Sequence, residues 1–212
     1  MCEQNKKKSI LVIGAGKEQT SLIKAARRLG LFVVGVDGNP NSEGFLYCDE
    51  KRDIDITDTE ACLQVALKYK VSGVTTATEK GLETAGYIRD ECKFYGNSLK
   101  TIKTIKNKFM QASILEKNKI PVPKTKKISH ESDLKDIPFP AIIKPPDNAG
   151  SRGVFLVYST DELKTRLDDV FQHTECGYGI LQEFIDGKEL GAEVVVQDSR
   201  VQGISISEKD WK

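Results

Sequence analysis

Short β-branched runs alternate with segments of helical spacing over the first hundred residues, and this alternation constrains the chain more than any other feature. Ser9-Ile-Leu-Val-Ile13 reads as a buried parallel strand meeting a tight Gly14-Ala-Gly16 turn. From Thr20 to Leu29, residues Leu22, Ile23, Ala26 and Leu29 fall at helical spacing, and Gly30 stops the helix. Leu31 to Val36 is a second strand. Strand, helix and strand in that order form a βαβ unit, whose crossover is right-handed in nearly all proteins. The pattern continues with a helix over Asp58 to Tyr69, capped by Thr57 or Asp58. A strand over Val71 to Thr76 and a helix over Leu82 to Lys93 follow. Residues 8 to about 97 therefore predict an open, mostly parallel, Rossmann-like α/β layer of three layers.

After Gly96-Asn-Ser98 the texture changes. Leu99 to Lys119 is one long Lys-rich helical segment, and Ile120-Pro-Val-Pro123 ends it in an extended exit. Phe139 to Lys144 is a strand, Pro145 to Gly153 a glycine-containing turn, and Val154 to Tyr158 the returning strand. Asp161 to Val170 is helical, with Ser159 or Thr160 as its cap. Gly179 to Ile185 is a strand, and Leu190 to Gln197 with Val201 to Ser207 form a hairpin about Asp198-Ser-Arg200. Val194, Val196, Ile204 and Ile206 alternate onto one face of that hairpin. The expected units are 1–98 (Rossmann-like), 99–127 (helical linker), 128–185 (a small α+β lid) and 186–212 (the first strands of a further sheet).

Charge narrows the partners. Lys and Arg number 32 against 31 Asp and Glu, so the net charge of +1 makes no case for nucleic acid or a membrane surface. Cys2, Cys48, Cys62, Cys92 and Cys176 are odd in number and never at C-x-x-C spacing. A zinc site or a disulfide framework is not expected, and a reducing cytoplasm fits. The apolar run ending at Gly14 is too short for a secretory core or a membrane span.

Four constellations carry chemistry. Gly14-Ala-Gly16 follows a strand, but Gln19 stands where a dinucleotide fingerprint needs its third small residue. That favours a plain tight turn or a small-molecule pocket over NAD. Asp37 closes the second strand. Thr78 and Glu79 end another strand, at the edge where open α/β sheets collect ligands; alone, Thr78 reads better as the cap of the next helix. Phe139-Pro-Ala-Ile-Ile-Lys144 delivers a lysine directly before Gly150, Ser151 and Gly153. Glycines let backbone N–H groups approach phosphate oxygens and a lysine adds a point charge. The lysine precedes the glycines, so this is no Walker A loop, and alone it fits an ordinary hairpin as well. Gln182-Glu-Phe-Ile-Asp-Gly-Lys-Glu189 could offer a hinge to an adenine edge and an acid to ribose; alone it reads as strand, turn and strand.

Taken in order, an α/β layer, N-K-F-M-x-x-x-I-L-x-x-N-x-I-P-V-P, F-P-x-I-I-K-P with a Gly/Ser loop, and L-Q-E-F-I-x-G-x-E resemble the ATP-grasp superfamily. The likeness is to its carbamoyl-phosphate-synthase-like and biotin-carboxylase-like members and runs over nearly the whole chain. The resemblance implies that Lys108 contacts ATP phosphate and that Lys144 binds the α- and β-phosphates. It implies that Gly150, Ser151 and Gly153 form a lid loop; the glycines, few apolar residues and position between two strands predict that Asp147 to Gly153 is mobile without nucleotide. Gln182 and the Glu183 backbone would meet the adenine amino group, the Ile185 N–H adenine N1, and Glu189 the ribose. Gly14, Gly16, Asp37, Thr78 and Glu79 would face the substrate.

The resemblance also implies the reaction: a carbon–nitrogen ligase joins a carboxylate to an amine, or a similar nucleophile, through an acyl phosphate, with ATP and Mg2+. The loop reads Asp-Asn-Ala-Gly-Ser-Arg-Gly, less glycine-rich than many members. The family's magnesium-binding acids and catalytic Asn and Arg are expected past Trp211-Lys212. No metal ligand or catalytic residue is therefore assigned here, Glu193 and Glu208 included. The expectation is a chain that binds nucleotide weakly, does not turn over alone and is less stable or more self-associating than its parent, with a homodimer left open. The rival is a non-catalytic nucleotide-binding or scaffold module.

Overall fold

The computed structural model describes residues 7–130, 133, 138–148 and 150–209. Cys2, Ala149 of the glycine turn, and Trp211-Lys212 lie outside the described residues. The chain divides into two compact units, Met1–Gln111 and Ala112–Lys212.

In the first unit, β1 (Ser9–Ile13), α1 (Thr20–Arg28), β2 (Phe32–Asp37), β3 (Glu50–Asp53), α2 (Thr59–Tyr69), β4 (Val74–Thr76) and α3 (Leu82–Cys92) follow in order. The strands form one sheet in the order β3-β2-β1-β4, all parallel. Alternation decides what each face buries. Leu11, Ile13, Val34 and Val36 pack with Leu63 and Ala66 of α2 and with Ala85 and Ile88 of α3. Val12 and Val33 pack on the opposite side with Ile23 and Ala26 of α1 and with Phe45. Both faces are covered, which is the expected three-layer arrangement. The chain runs outward from β1 through β2 to β3 and then crosses back to β4. The order thus reverses between β1 and β4, where such sheets open a crevice at their carboxyl ends.

The fold corrects the sequence reading in two places here. Glu-Lys-Arg-Asp forms β3, which charge and the absence of β-branched residues hid. It is an edge strand, where charge discourages pairing with another chain. Its start is tied by Asp49, whose Oδ2 accepts from Val33 N at 2.8 Å. The single helix expected from Leu99 to Lys119 is two, α4 (Leu99–Lys106) and α5 (Lys108–Lys117). Asn107 between them is extended, and its Oδ1 accepts from Phe109 N at 3.1 Å and Met110 N at 3.0 Å. An asparagine that satisfies the next helix's free N–H groups is a stop and a start at once. Asn107→Ala is expected to lower stability by about 1 kcal/mol, read as an earlier midpoint in urea denaturation.

The second unit contains a four-stranded antiparallel sheet in the order β5-β8-β6-β7: β5 (Thr125–Ile128), β6 (Ala141–Lys144), β7 (Phe155–Val157) and β8 (Gly179–Glu183). β5, Thr-Lys-Lys-Ile, was not expected from the sequence. Helix α6 (Thr160–Gln172) begins at Ser159, whose Oγ accepts from Glu162 N. Its Leu163, Leu167 and Val170 bury one sheet face with Ala141, Ile143 and Leu181. Ile142 and Lys144 consequently point to the other face.

β9 (Leu190–Gln197) and β10 (Arg200–Glu208) form a separate two-stranded antiparallel sheet. Its register pairs Ala192 with Ile206, Val194 with Ile204 and Val196 with Val201, so these apolar side chains share one face as expected. A bulge lies between Val201 and Gly203. Ile204 and Ile206 are 61% and 68% exposed. No helix among the described residues is long and apolar enough to cross a membrane.

Candidate functional site

Two sites are built from these elements, one in each unit. In the first, the β1 and β4 ends meet at the crevice. Gly14 has φ +89°, and a Cβ there would lie 3.0 Å from the Thr78 methyl, so glycine is required both by conformation and by space. Gln19 is buried over the turn, and its Nε2 donates to Ala77 O at 3.4 Å. Thr76 Oγ1 bridges the two strand ends, donating to Ile13 O at 2.8 Å and accepting from Thr78 N at 3.2 Å. Gly14, Gly16, Thr78 and Glu79 thus gather at one edge, with Glu79 exposed. Thr78 makes no side-chain cap.

Asp37 is tied to the same turn. Its Oδ2 accepts from Ala15 N at 2.7 Å and its Oδ1 from Asn39 N at 2.9 Å. The carboxylate holds the Gly14–Gly16 turn in place. Beside it is a cleft the sequence reading missed, about 580 Å3, lined by Gly38, Asp55, Thr57, Lys80, Glu83 and Lys106. Lys106 and Glu83 form an ion pair across it. The Thr57 backbone and hydroxyl hydrogen bonds hold Asp55 below the usual carboxylate range. These residues are dispersed over five segments, from the end of β2 to α4, which left no local signal.

In the second unit, a cleft of about 740 Å3 is lined by Ile142, Lys144, Glu183, Ile185, Glu189 and Lys209, among others. β6 delivers Lys144 to it on the face away from α6. Glu183 is tied to the segment after Pro123: its N–H donates to Lys124 O at 2.9 Å, and its Oε2 accepts from Lys124 N at 3.2 Å. The Ile185 N–H makes no hydrogen bond to another described residue. Glu189 pairs with Lys209 at 3.0 Å, and Lys188 with Glu208 at 3.0 Å, so two ion pairs pin the mouth of the hairpin beside the cleft.

Four of the sequence-derived residues, Lys144, Glu183, Ile185 and Glu189, therefore line one cleft. Gln182 does not join them: its Nε2 donates to Thr125 Oγ1 at 3.0 Å on the neighbouring strand. Gly150, Ser151 and Gly153 sit in the exposed turn after β6, at φ +71°, +56° and +71°. Lys108 opens α5 in the first unit, directly after the Asn107 cap. Among the described residues no three His, Cys, Asp or Glu side chains cluster as a metal site would.

Residues 105–212, just over half of the chain, match the ATP-grasp domain family. The chain is 24% identical over 224 residues to the carbamoyl phosphate synthase large chain of Clostridium botulinum, covering 95% of this chain and 21% of that one. Among solved structures it is similar to the L-amino acid ligase of Bacillus licheniformis, with a TM-score of 0.79 and 23% identity over 96% of this chain and 50% of that one. It is also similar to the carboxyaminoimidazole ribonucleotide synthase of Aspergillus clavatus complexed with ATP. There the TM-score is 0.77 and the identity 21%, over 97% of this chain and 55% of that one. The chain spans about half the length of these solved structures.

Proposed function

The chain belongs to the ATP-grasp family, and on that premise we propose that its second-unit cleft binds ATP for a ligase that joins a carboxylate to an amine or a similar nucleophile. The observation that carries this reading is the convergence of Lys144, Glu189 and Ile185, whose N–H has no partner among the described residues, along one cleft at the end of β6. A lysine suits phosphate oxygens, a free hinge N–H an adenine ring nitrogen, and a carboxylate ribose hydroxyls. The Gly150–Gly153 turn would add phosphate contacts, and Gln182, whose Nε2 is held by Thr125, would offer its Oε1 to the adenine amino group. Gly14, Gly16, Thr78 and Glu79 would face the small-molecule substrate, with Asp37 holding their turn.

In the reaction so assigned, a substrate carboxylate oxygen attacks the γ-phosphorus and ADP leaves. The amine then attacks the acyl carbon and inorganic phosphate leaves. The described residues hold no donor cluster that fits Mg2+. Unclustered cysteines support a reducing, cytoplasmic setting.

Calorimetric titration with ATP, ADP, adenosine and NAD tests the binding reading. ATP and ADP are expected to bind weakly and NAD not at all. Binding of NAD in preference to ATP, or of neither adenine nucleotide, would overturn it.

A further inference from the structure

The glycine turn after Lys144 is not simply a surface loop. Pro145 and Pro146 form a buried stem, and Asp147 follows. Its Oδ2 accepts from Glu175 N at 3.0 Å, reaching the turn between α6 and β8. The Thr174 hydroxyl and the Cys176 thiol also interact with this carboxylate. Thr174 Oγ1 in turn accepts from Cys176 N at 3.0 Å, which shapes the receiving turn. Burial pushes the Asp147 carboxyl up, but these hydrogen bonds outweigh it and hold the group below the usual carboxylate range. Its Oδ1 is shut off from solvent with no well-formed hydrogen bond. An acid is a costly occupant of such a place unless its ties are needed there.

The other root of the turn is fixed as well. A Cβ on Gly153 would lie 3.0 Å from Pro145 Cγ and 3.2 Å from His173 Cβ. Between the roots, Arg152 Nη2 donates to Asn148 Oδ1 at 3.1 Å, closing the tip on itself.

We infer that Asp147 is the positioning residue of the lid: it ties the stem of the Gly150–Gly153 turn to the Thr174–Cys176 turn, so that the tip is presented to the nucleotide phosphates in a fixed orientation. The inference rests on the ATP reading above. Without the tie the tip must be ordered when nucleotide binds, and that ordering opposes binding. The effect is confined to ligands that carry phosphates.

The test combines hydrogen exchange over residues 145–153 with titration of ATP and adenosine, for the wild type, Asp147→Ala, Thr174→Val and the double variant. In Asp147→Ala, which removes the acceptor of the Glu175 N–H, exchange in the turn is expected to speed up while that of Val12 and Val34 is unchanged. ATP affinity should fall about tenfold, and adenosine affinity should stay within about twofold. Thr174→Val, the milder change, should move both readouts the same way, and the double variant should add little to Asp147→Ala. Equal losses for ATP and adenosine would reduce Asp147 to a structural residue and overturn the inference. So would a faster turn with unchanged ATP affinity. A wild type that binds no ATP fails the nucleotide reading and this inference's functional half together. The exchange arm then still reports whether the tie exists.

Discussion

Lys144→Ala is expected to lower ATP affinity by about tenfold to a hundredfold and to leave adenosine binding almost untouched. Removing one partner of a hydrogen bond to a charged group costs about 1.5–3 kcal/mol, and about 1.4 kcal/mol is a factor of ten. β6 fixes the direction of the effect: Ile143 is fully buried against α6, so its neighbour Lys144 must lie on the cleft side. The side chain is only partly buried, so its loss leaves the sheet intact. Calorimetry on the wild type and the variant reads the change directly, with adenosine as the control that lacks phosphates. The same ATP affinity in both would remove Lys144 from the site.

Asp37→Ala is expected to cost about 2–3 kcal/mol of stability through one buried amide. Ala15 is fully buried, and its N–H has the Asp37 carboxylate as partner at 2.7 Å. Truncation strands that N–H away from water, a penalty of about 1–3 kcal/mol, to which loss of a charge-assisted bond adds. The second donor, Asn39 N, is exposed and can turn to solvent. Asp37→Asn should recover part of the loss, because an amide oxygen still accepts. Urea denaturation checks both variants. An unchanged midpoint for Asp37→Ala would show that the carboxylate does not hold the turn and is free for a ligand.

Where one residue type dictated one conformation, the fold was legible. The Ser9–Ile13 run is β1 to the residue, and Asp58 and Ser159 cap the helices they precede. The hairpin's alternation placed Val194 and Ile204 on one face, and the register agrees. The missed elements were set by tertiary context. β3 is four charged or polar residues made into a strand by pairing with Val34 to Asp37. Asn107 sits inside a run that favours helix, and only its side-chain bonds reveal the break. The same division holds at the candidate site. The order of Lys144, Glu183, Ile185 and Glu189 could be read from the chain because all four lie on or just beyond strand ends. The Asp37 and Asp147 ties, the Gln182–Thr125 bond and the Lys209–Glu189 pair join segments distant in sequence, and no spacing rule reaches them.

The β9–β10 hairpin makes the protein's behaviour depend on its solvent. One face carries Val194, Val196, Val201, Ile204 and Ile206 in the open, and the other carries Glu193, Ser205 and Ser207 with Val195. Salts that are excluded from protein surfaces, sulfate above all, strengthen apolar burial. Solubility should therefore drop steeply with added sulfate, and a dye that fluoresces on apolar surface should light up on the folded protein rather than only on unfolding. Ile204→Lys, which breaks the stripe at its centre, should raise the salting-out point and dim the dye without altering the register of Ala192 and Ile206.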